Sequence, residues 1–105
     1  MTDYVQLWTT TDSAELAQQI ATALVEQQLA ACVQIVPQVR SVYRWQGKIE
    51  FTEECLCLVK TGRTLVGEVE ALVRKLHTYD CPEIVVVAIE STSDDYLQWL
   101  AEQLK

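Results

Sequence analysis

One histidine, three glycines, two prolines, one phenylalanine and one methionine occur in 105 residues, and these scarcities remove whole classes of chemistry. With His77 as the single imidazole, a histidine-rich zinc site built from one chain is impossible, and a Ser-His-Asp relay has only one candidate base. Gly47, Gly62 and Gly67 form neither a phosphate-binding loop nor a dinucleotide fingerprint. Four cysteines are present without a Cys-x-x-Cys spacing; the nearest pair is Cys55-x-Cys57, so no zinc ribbon or redox motif is spelled out. Cations are few as well. Eight Lys and Arg face fifteen Asp and Glu, leaving a net charge of −7. A phosphate backbone would be repelled, so no nucleic-acid partner is expected. No apolar run approaches the ~18 residues of a membrane helix, so no membrane partner is expected either. The opening Met1-Thr2-Asp3-Tyr4-Val5-Gln6 has neither a basic stretch nor an apolar run of the export type. The expected location is cytoplasmic, with the cysteines as thiols.

Half of the residues are hydrophobic and 22% are charged. That composition builds a core, and the length fits one domain over residues 1–105. Tyr4 to Thr10 reads as a strand. Asp12, with Glu15 three residues on, has the form of a capping box and opens a helix whose stripe is Leu16, Ile20, Ala23 and Leu24, fading near Gln28 or Leu29. From Cys32 to Trp45 the period is two. Val33, Ile35, Val39, Tyr43 and Trp45 are expected on one face, and Gln34, Gln38, Arg40 and Arg44 on the other. Pro37 has no N–H for a ladder and marks a bulge or an edge. Gly47 suits a tight hairpin turn, and the return strand runs from Lys48 to Thr61. A two-residue turn puts Tyr43 opposite Glu50 and Arg40 opposite Glu53. A second helix spans about Thr64 to Leu76, a loop follows to Pro82, and Glu83 to Glu90 is expected as a buried strand. Ser91 to Ser93 cap a last helix from Asp94 to Leu104. The order β-α-β-β-α-β plus a C-terminal helix predicts an α+β, ferredoxin-like antiparallel sheet with both crossover helices on one face.

The hairpin is too long for its own domain. Cys32 to Gln46 would span about 50 Å at ~3.3 Å per residue, whereas a chain of this length has a diameter near ~33 Å. Its far part carries Val42, Tyr43, Trp45, Ile49 and Phe51. A lone apolar arm is marginal in water, so it is expected to pack on neighbouring copies in a closed ring. Periodicity does not choose between dimer and trimer.

Several strings resemble the CutA divalent-cation tolerance family: Leu29-Ala30-Ala31-Cys32, Ser41-x-Tyr43-x-Trp45-x-Gly47-Lys48-x-Glu50, Glu54 through Leu58 to Lys60-Thr61, His77-x-Tyr79-x-x-Pro82-Glu83, and Tyr96-Leu97-x-Trp99-Leu100. The resemblance implies a ferredoxin-like homotrimer with clefts between subunits, similar in architecture to the nitrogen-regulatory signalling trimers. It also implies a role in tolerance of copper and other divalent metals, with Cu(II) or another divalent metal as ligand, no organic cofactor and no established reaction. Some copper-binding members carry a cysteine where this chain has Trp8 and a second histidine where it has Leu76.

Each candidate residue has two readings. His77 is either a helix C-terminal cation or an imidazole ligand near Asp80, Cys81 or Glu83. Cys32 is either a small buried hydrophobe or a third metal ligand beside His77 and Cys81, while Cys55 and Cys57 read as buried thiols and Cys81 as the exposed one. Tyr43, Trp45, Lys48 and Glu50 are either subunit packing or the wall of a cleft whose further members are Lys60, Tyr79 and Glu83. Such a cleft would take a metal ion or a small anionic ligand. Three functions follow: a metal-responsive trimer without turnover, an enzyme using the cleft, and a scaffold. The first is the expectation carried forward.

Overall fold

A computed structural model describes residues 3–105. Four strands form one antiparallel sheet in the order β2-β3-β1-β4: β1 is Tyr4–Thr11, β2 Cys32–Trp45, β3 Lys48–Gly62 and β4 Val85–Ala88. Helices α1 (Ala14–Glu26), α2 (Val66–Leu76) and α3 (Asp94–Gln103) complete the fold. The expected order of elements is found.

The sheet is two-faced. Val5 and Leu7 of β1 and Val59 of β3 meet Leu16, Ile20 and Leu24 of α1 and Val69 and Val73 of α2, all buried. Cys55 and Cys57 join Ala17 in a second cluster on the same side. Both helices lie on this face. The opposite face has neither, and there Val36, Val85 and Val87 remain 40–46% exposed.

Local details depart from expectation for physical reasons. Ser13, not Asp12, caps α1: its backbone is extended (φ −147°, ψ 151°) and its Oγ accepts the Leu16 N–H at 3.1 Å. Leu16 stands where a capping box needs Glu or Gln, so no box forms. The helix ends in a Schellman motif, with Gln28 left-handed at φ 57° and the Leu29 N–H donating to the Leu24 carbonyl at 2.9 Å. The second helix starts as a 3-10 turn, Arg63–Leu65, which no side chain caps; α geometry begins only at Val66. The last strand is four residues, not eight, and is exposed rather than buried. It is an edge strand paired to β1 alone, Val85 opposite Trp8 and Ala88 opposite Val5, and α1 and α2 shelter only the other side of the sheet from Trp8 and Val85.

The hairpin register is as expected at the tip: Tyr43 pairs with Glu50 and Arg40 with Glu53. Gln46 and Gly47 turn the chain with φ of 50° and 78°, both left-handed, as a two-residue hairpin loop of matching twist requires. The facing pattern is corrected. A bulge lies between Val36 and Val39, with Gln38 at φ 58°. One extra residue shifts the alternation by one. Below it Val33 and Ile35 pair with Val59 and Cys57 on the helix face; above it Val39 and Tyr43 pair with Glu54 and Glu50 on the helix-free face. Tyr43 and Trp45 are therefore carried to the side without helices. The long ribbon gives the molecule extents of 45 × 25 × 22 Å.

Candidate functional site

The bulge and the loop after α2 together build one groove. Val39, Tyr43 and Trp45 on β2 and Glu50 and Glu54 on β3 share the helix-free face by register. The loop from His77 to Glu83 folds against this part of the sheet. His77 Nε2–H donates to the Thr10 carbonyl at 2.7 Å, and His77 Nδ1 accepts the Tyr79 N–H at 3.1 Å. That pair of bonds fits the neutral Nε2–H tautomer. The two rings lie 4.7 Å apart, and the Tyr79 hydroxyl donates to Glu54 Oε2 at 2.8 Å. The result is a groove of about 690 Å³ walled by Tyr43, Trp45 and Tyr79 and carrying the carboxylates of Glu50, Glu54, Asp80 and Glu83. Among the described residues, no lysine or arginine lines it.

The electrostatics follow from that lining. Burial raises the Glu83 pKa above its usual 4.5, and the nearby Glu54 adds to the shift. The Tyr79 phenol is also pushed up, first by burial and then by its bond to Glu54. At these two groups the groove disfavours added negative charge, as a lining of carboxylates without lysine or arginine should.

Five of the seven expected cleft residues are brought together: Tyr43, Trp45, Glu50, Tyr79 and Glu83. Lys48 and Lys60 are not. Lys48 sits opposite Trp45 beside the turn. Lys60 lies six residues down β3 from Glu54, about 20 Å away, where its Nζ meets the Tyr96 hydroxyl at 3.3 Å and stands 5.3 Å over that ring. Without these two cations the groove opposes the small anion considered from sequence.

The expected ligand trio of His77, Cys81 and Cys32 does not converge either. Both ring nitrogens of His77 are used by backbone groups. Cys32 pairs with Lys60, while Thr10, the partner of His77, pairs with Leu56, about 13 Å along β3. Cys81 lines the groove and is exposed; all four cysteines are free thiols. Among the described residues, no three His, Cys, Asp or Glu side chains gather to hold a metal ion, so one protomer does not fit a chelated Cu(II). Sequence reasoning left Glu54 and Thr10 out of the cleft. The Glu50-x-x-x-Glu54 spacing on one strand face was the available signal for Glu54; Thr10 enters only through the His77 contact.

Residues 5–103 match the family described as CutA1 divalent ion tolerance protein. The chain belongs to this family. It is 47% identical over 93 residues to the "Divalent-cation tolerance protein CutA" of Thermus thermophilus, covering 89% of this chain and 90% of that one. The solved divalent cation tolerance protein (Cut A1) from Thermus thermophilus superposes with a TM-score of 0.94 at 43% identity, over 97% of this chain and 99% of that one. An Arabidopsis thaliana relative named "Protein CutA, chloroplastic" is 38% identical over 96 residues, and the chain spans 53% of its length. Among the described residues, no helix is long and apolar enough to cross a membrane.

Proposed function

We propose that the protein acts in the tolerance of divalent metal ions, copper among them, as a cytoplasmic homotrimer that binds a cation at its grooves without catalysing a reaction. The observation that carries this is the groove itself, whose four carboxylates supply hard oxygen donors with no lysine or arginine among them. A single protomer offers too few converging donors for a chelate. A sister copy seated against the helix-free face completes the donor set, with Glu54 and Glu83 as this chain's contribution. The exposed apolar tip, where Phe51 is 69% and Trp45 58% exposed, supports such an assembly. At ~25 cal/mol per Å² its burial favours association by several kcal/mol.

Native mass spectrometry with and without copper sulfate tests both parts together. A trimer that gains a fixed number of copper ions, fewer in Glu54→Gln/Glu83→Gln, is the expected result. Copper uptake that is unchanged in the double variant, or that grows without saturating, contradicts the groove as the binding place.

A further inference from the structure

The groove lies on the face given to a sister copy, but the helix side of the sheet is closed within one protomer. It holds two thiols, Cys55 and Cys57, which stand two residues apart on β3, point the same way and are covered by Ala17 of α1 and flanked by Ile35 of β2. Cys57 is fully buried and Cys55 nearly so. Opposite them in register on β1 are Thr11 and Thr9, both fully buried. Thr11 Oγ1 donates to the Ser13 carbonyl at 2.8 Å. Thr9 Oγ1, on the residue directly opposite Cys57, has no hydrogen-bond partner among the described residues. A buried hydroxyl left unpaired is costly and rare.

The spacing decides what this thiol pair can do. Same-face neighbours on a strand are about 6.6 Å apart, whereas a disulfide holds its Cβ atoms about 3.5–4.5 Å apart. Closing one here needs a kink, and β3 pairs with β1 without interruption from Cys55 to Cys57. A metal–thiolate bond is about 2.3 Å long for zinc. An ion held in line between two thiolates therefore sets the sulfurs about 2.5 Å farther apart than an S–S bond does, which makes up the difference. Zinc itself asks for four ligands. Two sulfurs in an apolar enclosure, with no carboxylate or imidazole beside them, are the donor set of a soft ion.

We infer that Cys55 and Cys57 form a site for a soft monovalent ion of the Cu(I) class, held in line between two thiolates, with the Thr9 hydroxyl donating to the Cys57 sulfur. Two Cu–S bonds form, two thiol protons leave to solvent, and no electron is transferred, because the ion arrives as Cu(I). Two thiolates and one such ion leave a single negative charge, and the Thr9 O–H is the donor that meets it. Without the ion the pair rests neutral: burial, and then Cys55, pushes the Cys57 thiol up to about 11. The site differs from the groove in face, donor type and oxidation state, and does not depend on the proposed function.

The test is titration of the reduced, intact protein with the Cu(I)–acetonitrile complex in the absence of oxygen, against the chelator bicinchoninate. Cys32→Ser/Cys81→Ser, which removes the two thiols outside the site, is expected to keep one tightly held Cu(I) per protomer, and its X-ray absorption to show two sulfur neighbours and no nitrogen or oxygen. Cys55→Ala/Cys57→Ala is expected to lose that ion. Thr9→Val keeps both thiols and the side-chain shape, and is expected to weaken Cu(I) about tenfold while leaving the urea midpoint of the metal-free protein unchanged or raised. Cys-x-Cys in a loose chain also takes Cu(I), so the folded protein is expected to hold it at least about tenfold tighter than the urea-unfolded one. Loss of the ion in Cys32→Ser/Cys81→Ser, a sulfur count other than two, retention in Cys55→Ala/Cys57→Ala, or equal affinity in folded and unfolded chains overturns the inference.

Discussion

The two halves of the β2–β3 ribbon obey the same pairing rules and meet opposite fates. Below the bulge, Cys57 and Val59 are fully buried under α1 and α2. Above it, Val42 is 58% exposed, Ile49 52% and Phe51 69%, with nothing from their own chain over them. The difference teaches that apolar patterning states only that a surface will be covered, not by what. Below the bulge the cover is local sequence; above it, the cover is a second copy in the proposed trimer.

That contrast can be broken most forcefully at the tip. Phe51→Asp places a charge in the proposed contact between copies and is expected to dissociate the assembly into protomers, read by sedimentation velocity; an unchanged sedimentation coefficient shows that the tip is bare. In the packed half, Leu7→Ala opens a cavity in a fully buried site and should cost about 2–5 kcal/mol in urea unfolding. Phe51→Ala sharpens the comparison. A bare surface residue changes stability by within about 0.5 kcal/mol, whereas a cost approaching that of Leu7→Ala is expected where a neighbouring copy covers the ring.

Smaller effects probe the groove. Tyr79→Phe removes the donor to Glu54 and is expected to cost about 0.5–1.5 kcal/mol. Glu83 titrates with a folded pKa above its unfolded value near 4.5. The folded state therefore holds the proton more tightly, and this residue's contribution declines as pH rises from the unfolded value through the folded one. Glu83→Gln should gain stability over the parent protein at about pH 7 and show no difference at about pH 3, where both forms of the parent are protonated. Equal urea midpoints at both pH values would remove the groove's electrostatic strain. Thiol labelling gives the mildest test. Cys81 is exposed, while burial lifts the Cys57 thiol to about 11, helped by Cys55. Cys81 should react first, with Cys57 modified only on unfolding.

Much of this was legible in the chain. Pro37 announced the bulge, Gly47 the turn, and the turn fixed Tyr43 opposite Glu50. What the bulge does to the faces was not legible, because phase depends on how many residues are inserted, and alternation alone cannot count them. Ser13 and Asp12 are both good caps; the extended backbone at Ser13 decides between them. The continuous run from Ile84 to Val87 reads as buried on both sides, yet an edge strand under a one-sided helix layer leaves it open. The site was half legible. Residues along one strand face could be grouped by period two. The pairing of Tyr79 with Glu54 joins positions 25 apart through a loop that no periodicity describes, and Lys60 belonged to another part of the same strand.

Everything about the groove's shared walls depends on who covers the ribbon's far half. Hydrogen exchange of the intact protein at micromolar concentration, read at Val42 to Phe51, asks this directly. Slow exchange there, comparable to that of Leu7 and Val59 and lost on dilution or in Phe51→Asp, is the predicted result. Fast exchange at the tip beside slow exchange below the bulge, independent of concentration, would show a solitary protomer with an open arm and contradict it.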